Sequence, residues 1–150
     1  VNLTSETTLR LAGIPNVTAV KEASGDLGQI SRVISGRPAG FGVLSGNDDQ
    51  TFPVMKAGGD GVISVASNIA PVQMVALTEA MMEGRIEVAE DLDKRLSPLF
   101  HSCFVESNPI PVKAGLNLVG LCSGEMRLPL TEAVLSTVEA MRKAIEGLEI

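Results

Sequence analysis

The sequence has no tyrosine and no tryptophan, one histidine, His101, and two cysteines, Cys103 and Cys122. A disulfide framework is not expected from two cysteines set among apolar residues. Both read as buried thiols of a protein from a reducing compartment. Twelve Lys and Arg stand against eighteen Asp and Glu, a formal charge of -6. No cluster of basic residues occurs that could neutralise phosphates, so nonspecific nucleic-acid binding is disfavoured. No apolar run approaches the roughly 18 residues that span a bilayer, and the first residues lack the regions of a signal peptide, so the expected location is cytoplasmic with no membrane partner. The chain begins at Val1 rather than Met. With the missing Tyr and Trp, that start leads to the expectation that an N-terminal portion is absent.

What is present is an ordinary globular composition, 45% hydrophobic and 20% charged over 150 residues, enough to bury a core. Helix signals open the chain, with Thr4 or Ser5 as N-cap, up to the Gly13, Pro15 break. Val17 to Lys21 is then a β-rich run ending on a charge, as buried parallel strands do. Ser24-Gly25-Asp26 forms a turn and N-cap, and Leu27, Ile30, Val33 and Ile34 give helical spacing to Gly36. The cadence repeats as strand Phe41 to Ser45 with a helix over 49–57, and again as strand Gly61 to Val65 with a helix from Pro71 to Gly84. After Gly84 the pattern is helical: 86–103, 111–118, and 131–146 behind an N-capping Thr131. Asn108-Pro109-Ile110-Pro111 reads as a fixed extended turn.

Three successive β/α units argue for a parallel sheet. Three short strands alone expose two unpaired edges, and closure into a (β/α)8 barrel would remove them. The expected fold class is therefore α/β, the C-terminal part of a (β/α)8 barrel over 1–84, followed by a helical domain over 85–150. In a barrel the carboxyl ends of the strands share one active-site face, which would gather Lys21, the Ser45 to Asp48 turn and Ser64.

A lysine at the inner end of a barrel strand, sheathed by apolar neighbours, has its ammonium form disfavoured by desolvation, and the neutral amine attacks ketones. Position alone leaves open the alternative of a lysine reaching to solvent at a strand end. Asp48, Asp49 and Asp60 have no His or Cys at ligand spacing, so helix capping is expected of them and no metal is assigned. The Gly-rich loops after the second and third strands leave phosphate binding open as a minor alternative. His101, beside Phe100 and Cys103, is expected to pack rather than to catalyse.

The stretches Val20-Lys21-Glu22-Ala23-Ser24-Gly25-Asp26, Leu44-Ser45-Gly46-Asn47-Asp48, Gly58 to Val65 and Phe104 to Lys113 occur in this order. Together they resemble the dihydrodipicolinate synthase family from about Asn16 to Arg127. The resemblance implies a (β/α)8 barrel with an added helical domain that condenses pyruvate with aspartate semialdehyde on the route to lysine, with no cofactor. It implies that Lys21 forms the imine, that the Ile63 backbone lies beside bound pyruvate, and that Gly46 belongs to a substrate-side loop. Asn47 stands where some relatives have Asp. The sialate and keto-sugar lyases share the lysine, but Asn108 to Lys113 looks more like the synthase. The family's tyrosine proton relay, paired threonine hydroxyls and substrate-binding arginine belong upstream of Val1. General acid–base help worth roughly 100- to 10,000-fold is then missing from this chain, and its expected partners are a missing N-terminal barrel half or another copy of itself, in a homo-oligomer. The competing class is a noncatalytic partial barrel that serves as an assembly piece.

Overall fold

A computed structural model describes residues 1–148. The helices are α1 (Ser5–Ala12), α2 (Leu27–Gly36), α3 (Thr51–Lys56), α4 (Pro71–Met82), α5 (Ile86–Ser102), α6 (Ile110–Leu118) and α7 (Leu135–Glu146). Three strands, β1 (Ala19–Glu22), β2 (Gly42–Ser45) and β3 (Gly61–Val62), form one parallel sheet in the order β1-β2-β3. None of the helices among the described residues is long and apolar enough to cross a membrane.

The local signals explain most of these elements. The Thr4 hydroxyl accepts from the Thr7 amide and starts α1, and the Asp26 carboxylate accepts from the Gln29 amide at 3.0 Å and starts α2. Ile30 and Val33 of α2 then pack with Val43 of β2 and Val54 of α3 in a first apolar cluster. A second, larger cluster joins Met74, Leu77 and Ala80 of α4 to Ala89, Leu96 and Leu99 of α5, with Met141 and Ala144 of α7. This core runs without a break across the turn at Gly84, so the third β/α unit and the following helices are one packed body. The last two residues of the 85–150 region lie outside the described residues.

Several expectations are corrected. The strands are shorter than the β-rich runs, most of all β3, which ends at Val62 instead of Val65. Its ladder stops because the Asp48 carboxylate takes the amides of Val65 and Ala66, at 3.0 and 3.2 Å, and bends the chain out of the sheet. Asp48 thus caps the short turn Ala66–Asn68, whereas Asp60 caps no helix: its carboxylate accepts from the Val43 amide at 2.7 Å and pairs with Arg37. The Arg37 hydrogen bond holds the Asp60 carboxyl below the usual range. Thr131 does not start the last helix. The chain stays extended to Val134, whose amide is taken by the Glu106 carboxylate at 3.2 Å, and α7 begins at Leu135. Cys103 is buried, its thiol pushed up to about 12 by desolvation, but Cys122 is exposed, as is Leu121 beside it. The segment Asn108 to Pro111 is not an extended turn: Asn108 and Pro109 form a turn with a cis bond between them, and Ile110 and Pro111 are already the first residues of α6.

Helix α4 is apolar on two sides. Met74, Leu77, Ala80 and Met81 face the core, while Val72, Val75 and Met82 are 74%, 52% and 67% exposed. Helices apolar all round are normally covered all round.

Asp93 on α5 is half-buried with an unpartnered Oδ1. Desolvation, with smaller contributions from Asp49 and Glu90, raises its pKa to about 6 from 3.8. Between those values the folded chain binds more protons than the unfolded one, so this group lowers stability as pH rises through that window and does nothing below it. Asp93→Asn should therefore raise the Tm at about pH 7.5 and leave it nearly unchanged at about pH 3. Equal gains at both pH values in calorimetry would show that the carboxyl charge is not the cause.

Candidate active site

Side chains alternate across a strand, and in a parallel pair register partners share a face. Lys21 is paired with Leu44, and Leu44 with Gly61, so Ile63, two residues beyond Gly61, falls on the face of Lys21. Val43, Ser45 and Glu22, on the alternate positions, are buried against the helix layer. The other face has no covering layer among the described residues. Lys21 is exposed there and Ile63 is 46% exposed. The expected apolar sheath around Lys21 is therefore absent from this structure, because a single layer of helices cannot supply it. Among the described residues no carboxylate lies within ion-pair distance of Lys21. Its side chain borders an open groove of about 470 Å³ shared with Leu3, Thr8, Ser24 and Asp26.

Gly46 is where the loops after β1 and β2 meet. Its amide donates to the Glu22 carbonyl at 2.7 Å, which continues the β1–β2 ladder past the strand ends. A Cβ at this position would lie 2.5 Å from the Ala23 Cβ and 3.1 Å from the Lys21 Cε. Only a glycine permits that approach, and it sets the Gly46 backbone against the stem of Lys21. The Ile63 amide donates to the Ser45 carbonyl at 2.8 Å, so Gly46 and Ile63 are tied to neighbouring points of β2. The structure thus brings the three candidate residues, Lys21, Gly46 and Ile63, to the carboxyl end of one sheet face.

Two buried polar groups hold this end together, and sequence reasoning did not single out their roles. Glu22 is 5% exposed; its Oε1 accepts from the Ser24 amide at 2.8 Å and its Oε2 from Gln29 Nε2 at 3.1 Å. Gln29 also bonds Asn2 and the Leu3 carbonyl, which ties the start of the chain to the loop after Lys21. Strand alternation beside Lys21 is the signal that could have found Glu22. Asp48 is the second group, bonded to Ser64 Oγ and to the amides of residues 65 and 66.

The remaining candidates lie elsewhere. His101 is exposed rather than packed, and with Asn47, Asp49 and Phe104 it lines an open groove of about 540 Å³ on the helix side of the loops. Asn47 bonds Gln50. Among the described residues no three His, Cys, Asp or Glu side chains are placed to hold a metal.

Comparison with known proteins bears on this arrangement. Residues 1–148 match the model of the dihydrodipicolinate synthetase family. The 4-hydroxy-tetrahydrodipicolinate synthase of Archaeoglobus fulgidus is 46% identical over 150 residues, 100% of this chain and 52% of the relative. That of Thermotoga maritima is 47% identical, covering 97% and 51%. The crystal structure of dihydrodipicolinate synthase from Thermotoga maritima superposes with a TM-score of 0.96 at 46% identity, over 99% of this chain and 52% of that one. A structure described as the first monomeric dihydrodipicolinate synthase variant superposes with a TM-score of 0.95, also at 46% identity, over 98% and 50%. The chain spans about half the length of the curated relatives it matches.

Gly46→Ala should cost roughly 1–3 kcal/mol in urea unfolding, as overpacking does. Ala23→Gly in the same chain should recover part of that loss, because the Ala23 methyl is the nearest obstacle. If Gly46→Ala matches the parent in stability, the loops part freely and the close approach carries no weight.

Proposed function

Because the chain belongs to the dihydrodipicolinate synthetase family, we propose that it carries the imine-forming half of a pyruvate-dependent lyase that condenses pyruvate with aspartate semialdehyde, and that Lys21 is the nucleophile. The observation that carries this reading is the shared sheet face: Lys21, with Gly46 against its stem at 3.1 Å from a would-be Cβ to Cε, and Ile63 across β2 beyond the end of β3.

The chemistry follows from an amine so placed. The neutral Lys21 Nζ adds to the ketone carbon of pyruvate, and loss of water leaves an imine whose protonated form withdraws electrons from the adjacent methyl group. Loss of a methyl proton gives an enamine, which forms the new carbon–carbon bond to an aldehyde carbon. Hydrolysis then returns the free lysine. Ile63, whose amide is engaged with Ser45, has its backbone beside bound pyruvate, and Gly46 keeps the loop clear of the approach. No tyrosine is available in the chain for the proton transfers.

The proposed architecture is the last three β/α units of a (β/α)8 barrel over 1–84 and a helical region over 85–150, a division of layout rather than of core. Its support is the unequal covering of the sheet. Among the described residues one face is bare and both edges are open, and the exposed stripe of Val72, Val75 and Met82 on α4 lies next to the β3 edge, beyond a hollow lined by Val62, Pro71 and Thr78. Further strands and a helix packed on α4 would cover all of these. The proposed partner is therefore the upstream half of a barrel or a second copy of this chain.

Borohydride reduction with pyruvate should place the adduct on Lys21, read by peptide mass spectrometry, and Lys21→Ala should abolish it. An adduct on another lysine would remove the assignment. The separate chain should show negligible synthase turnover, since positioned proton transfer is worth roughly 100- to 10,000-fold; turnover equal to that of an intact relative would refute the division of labour.

Sedimentation supplies the assembly test. The separate chain should run as an associated species at micromolar concentration, because burying several hundred Å² of apolar surface at about 25 cal/mol per Å² is comparable with the whole stability of a small domain. A cooperatively folding monomer would show that the bare face tolerates water.

A further inference from the structure

The ladder that joins β3 to β2 is only two residue pairs long, Leu44 with Gly61 and Ser45 with Val62, extended by the Ile63 amide on the Ser45 carbonyl. A pairing this short gives little reason for the chain beyond Ile63 to stay beside the loop beyond Gly46. A side chain does that work instead. Asp48, two residues after Gly46, is 1% exposed, and its carboxylate reaches across to the residues that follow Ile63. Oδ1 accepts from Ser64 Oγ at 2.5 Å; Oδ2 accepts from the Val65 amide at 3.0 Å and the Ala66 amide at 3.2 Å. Ser64 Oγ in turn accepts from the Ser67 amide at 2.8 Å. Hydrogen bonds to a buried carboxylate are among the stronger ones, and three of them on one group fix a loop as a short ladder cannot.

We infer that Asp48 is a positioning residue for pyruvate: a carboxylate cross-tie that holds the Ile63–Ser64 backbone at a fixed distance from Gly46 and so sets the wall opposite Lys21. This rests on the reading of Lys21 as the imine lysine. Asp48 touches neither Lys21 nor the reacting atoms. It acts on where the substrate is held and leaves the attacking amine on β1, whose register with β2 is made by separate backbone bonds. The expected signature is a split between binding and rate. Loosening the tie weakens the hold on pyruvate while the rate of amine attack at saturation stays the same.

The test compares the native protein containing these residues with Asp48→Asn, Ser64→Ala and Ser64→Thr variants, by borohydride trapping of pyruvate on Lys21 across a range of pyruvate concentrations. Circular dichroism reports the folded fraction. An amide at position 48 can still accept two of the three hydrogen bonds but cannot match the charge. Asp48→Asn should raise half-saturating pyruvate about tenfold, with the limiting trapping rate within about twofold of the parent. Ser64→Ala should raise half-saturation about threefold, and Ser64→Thr, which keeps the hydroxyl, should restore it. If Asp48→Asn does not fold, the Ser64 pair decides by the same readings. A fall in limiting rate with unchanged half-saturation would overturn the inference, as would equal behaviour of Ser64→Ala and Ser64→Thr. Absence of any Lys21 adduct in the parent would overturn the imine assignment itself, and this inference with it.

Discussion

A parallel strand satisfies all its backbone groups only with a neighbour on each side, and parallel sheets occur almost only with both of their faces covered. This sheet meets the requirement on one face alone. Helices pack on the side of Val43, Ser45 and Glu22, and the side of Lys21, Leu44 and Ile63 faces solvent. The exposed amine of Lys21 follows from that asymmetry, and the uncovered flank of α4 and the groove beside the first residues lie at the open β3 and β1 edges. The proposed barrel is its most economical completion, because one closing set of strands would pair both edges and bury the bare face together.

Where a structural signal is local, the sequence carried it. Asp26 and Thr4 sit one residue before their helices and bond the amides their types suggest, so α1 and α2 were legible. The alternation of strand and helix through Gly84 was legible for the same reason, since each period is set by residues close in the chain. Thr131 misled because its competitor is distant: Glu106, 28 residues before Val134, takes the Val134 amide at the start of α7. Cys122 misled because apolar neighbours imply burial only if something packs on them, and Leu121 is 70% exposed. The early end of β3 depended on Asp48 reaching across 17 residues, which no window along the chain contains.

The candidate site divides along the same line. Lys21, Gly46 and Ile63 were visible through their motifs, and register accounts for their sharing a face. The apolar sheath expected of Lys21 was not visible as missing, because sheathing is a property of layers and a single run of residues says nothing about a second layer. Glu22, Gln29 and Asn2 escaped notice because each is an ordinary polar residue until the fold brings it to the others.

Glu22 and Lys21 are adjacent and opposite in charge, yet they do not pair. Strand geometry sends one inward and the other outward, and each is then committed to different partners. Glu22 is consumed by the Ser24 amide and by Gln29, which anchors the loop behind the lysine. Had the two shared a face, a carboxylate within a few ångströms would have held the ammonium form and opposed nucleophilic attack. Alternation therefore does two things at once: it provides a buried anchor for the loop and keeps that anchor's charge off the amine. The same separation appears one strand over, where Asp48 spends its charge on the amides beyond Ile63, and among the described residues no carboxylate stands at ion-pair distance from Lys21. The proposed imine chemistry at Lys21 is served by that arrangement, in which Glu22 and Asp48 hold the loops without pairing with the amine.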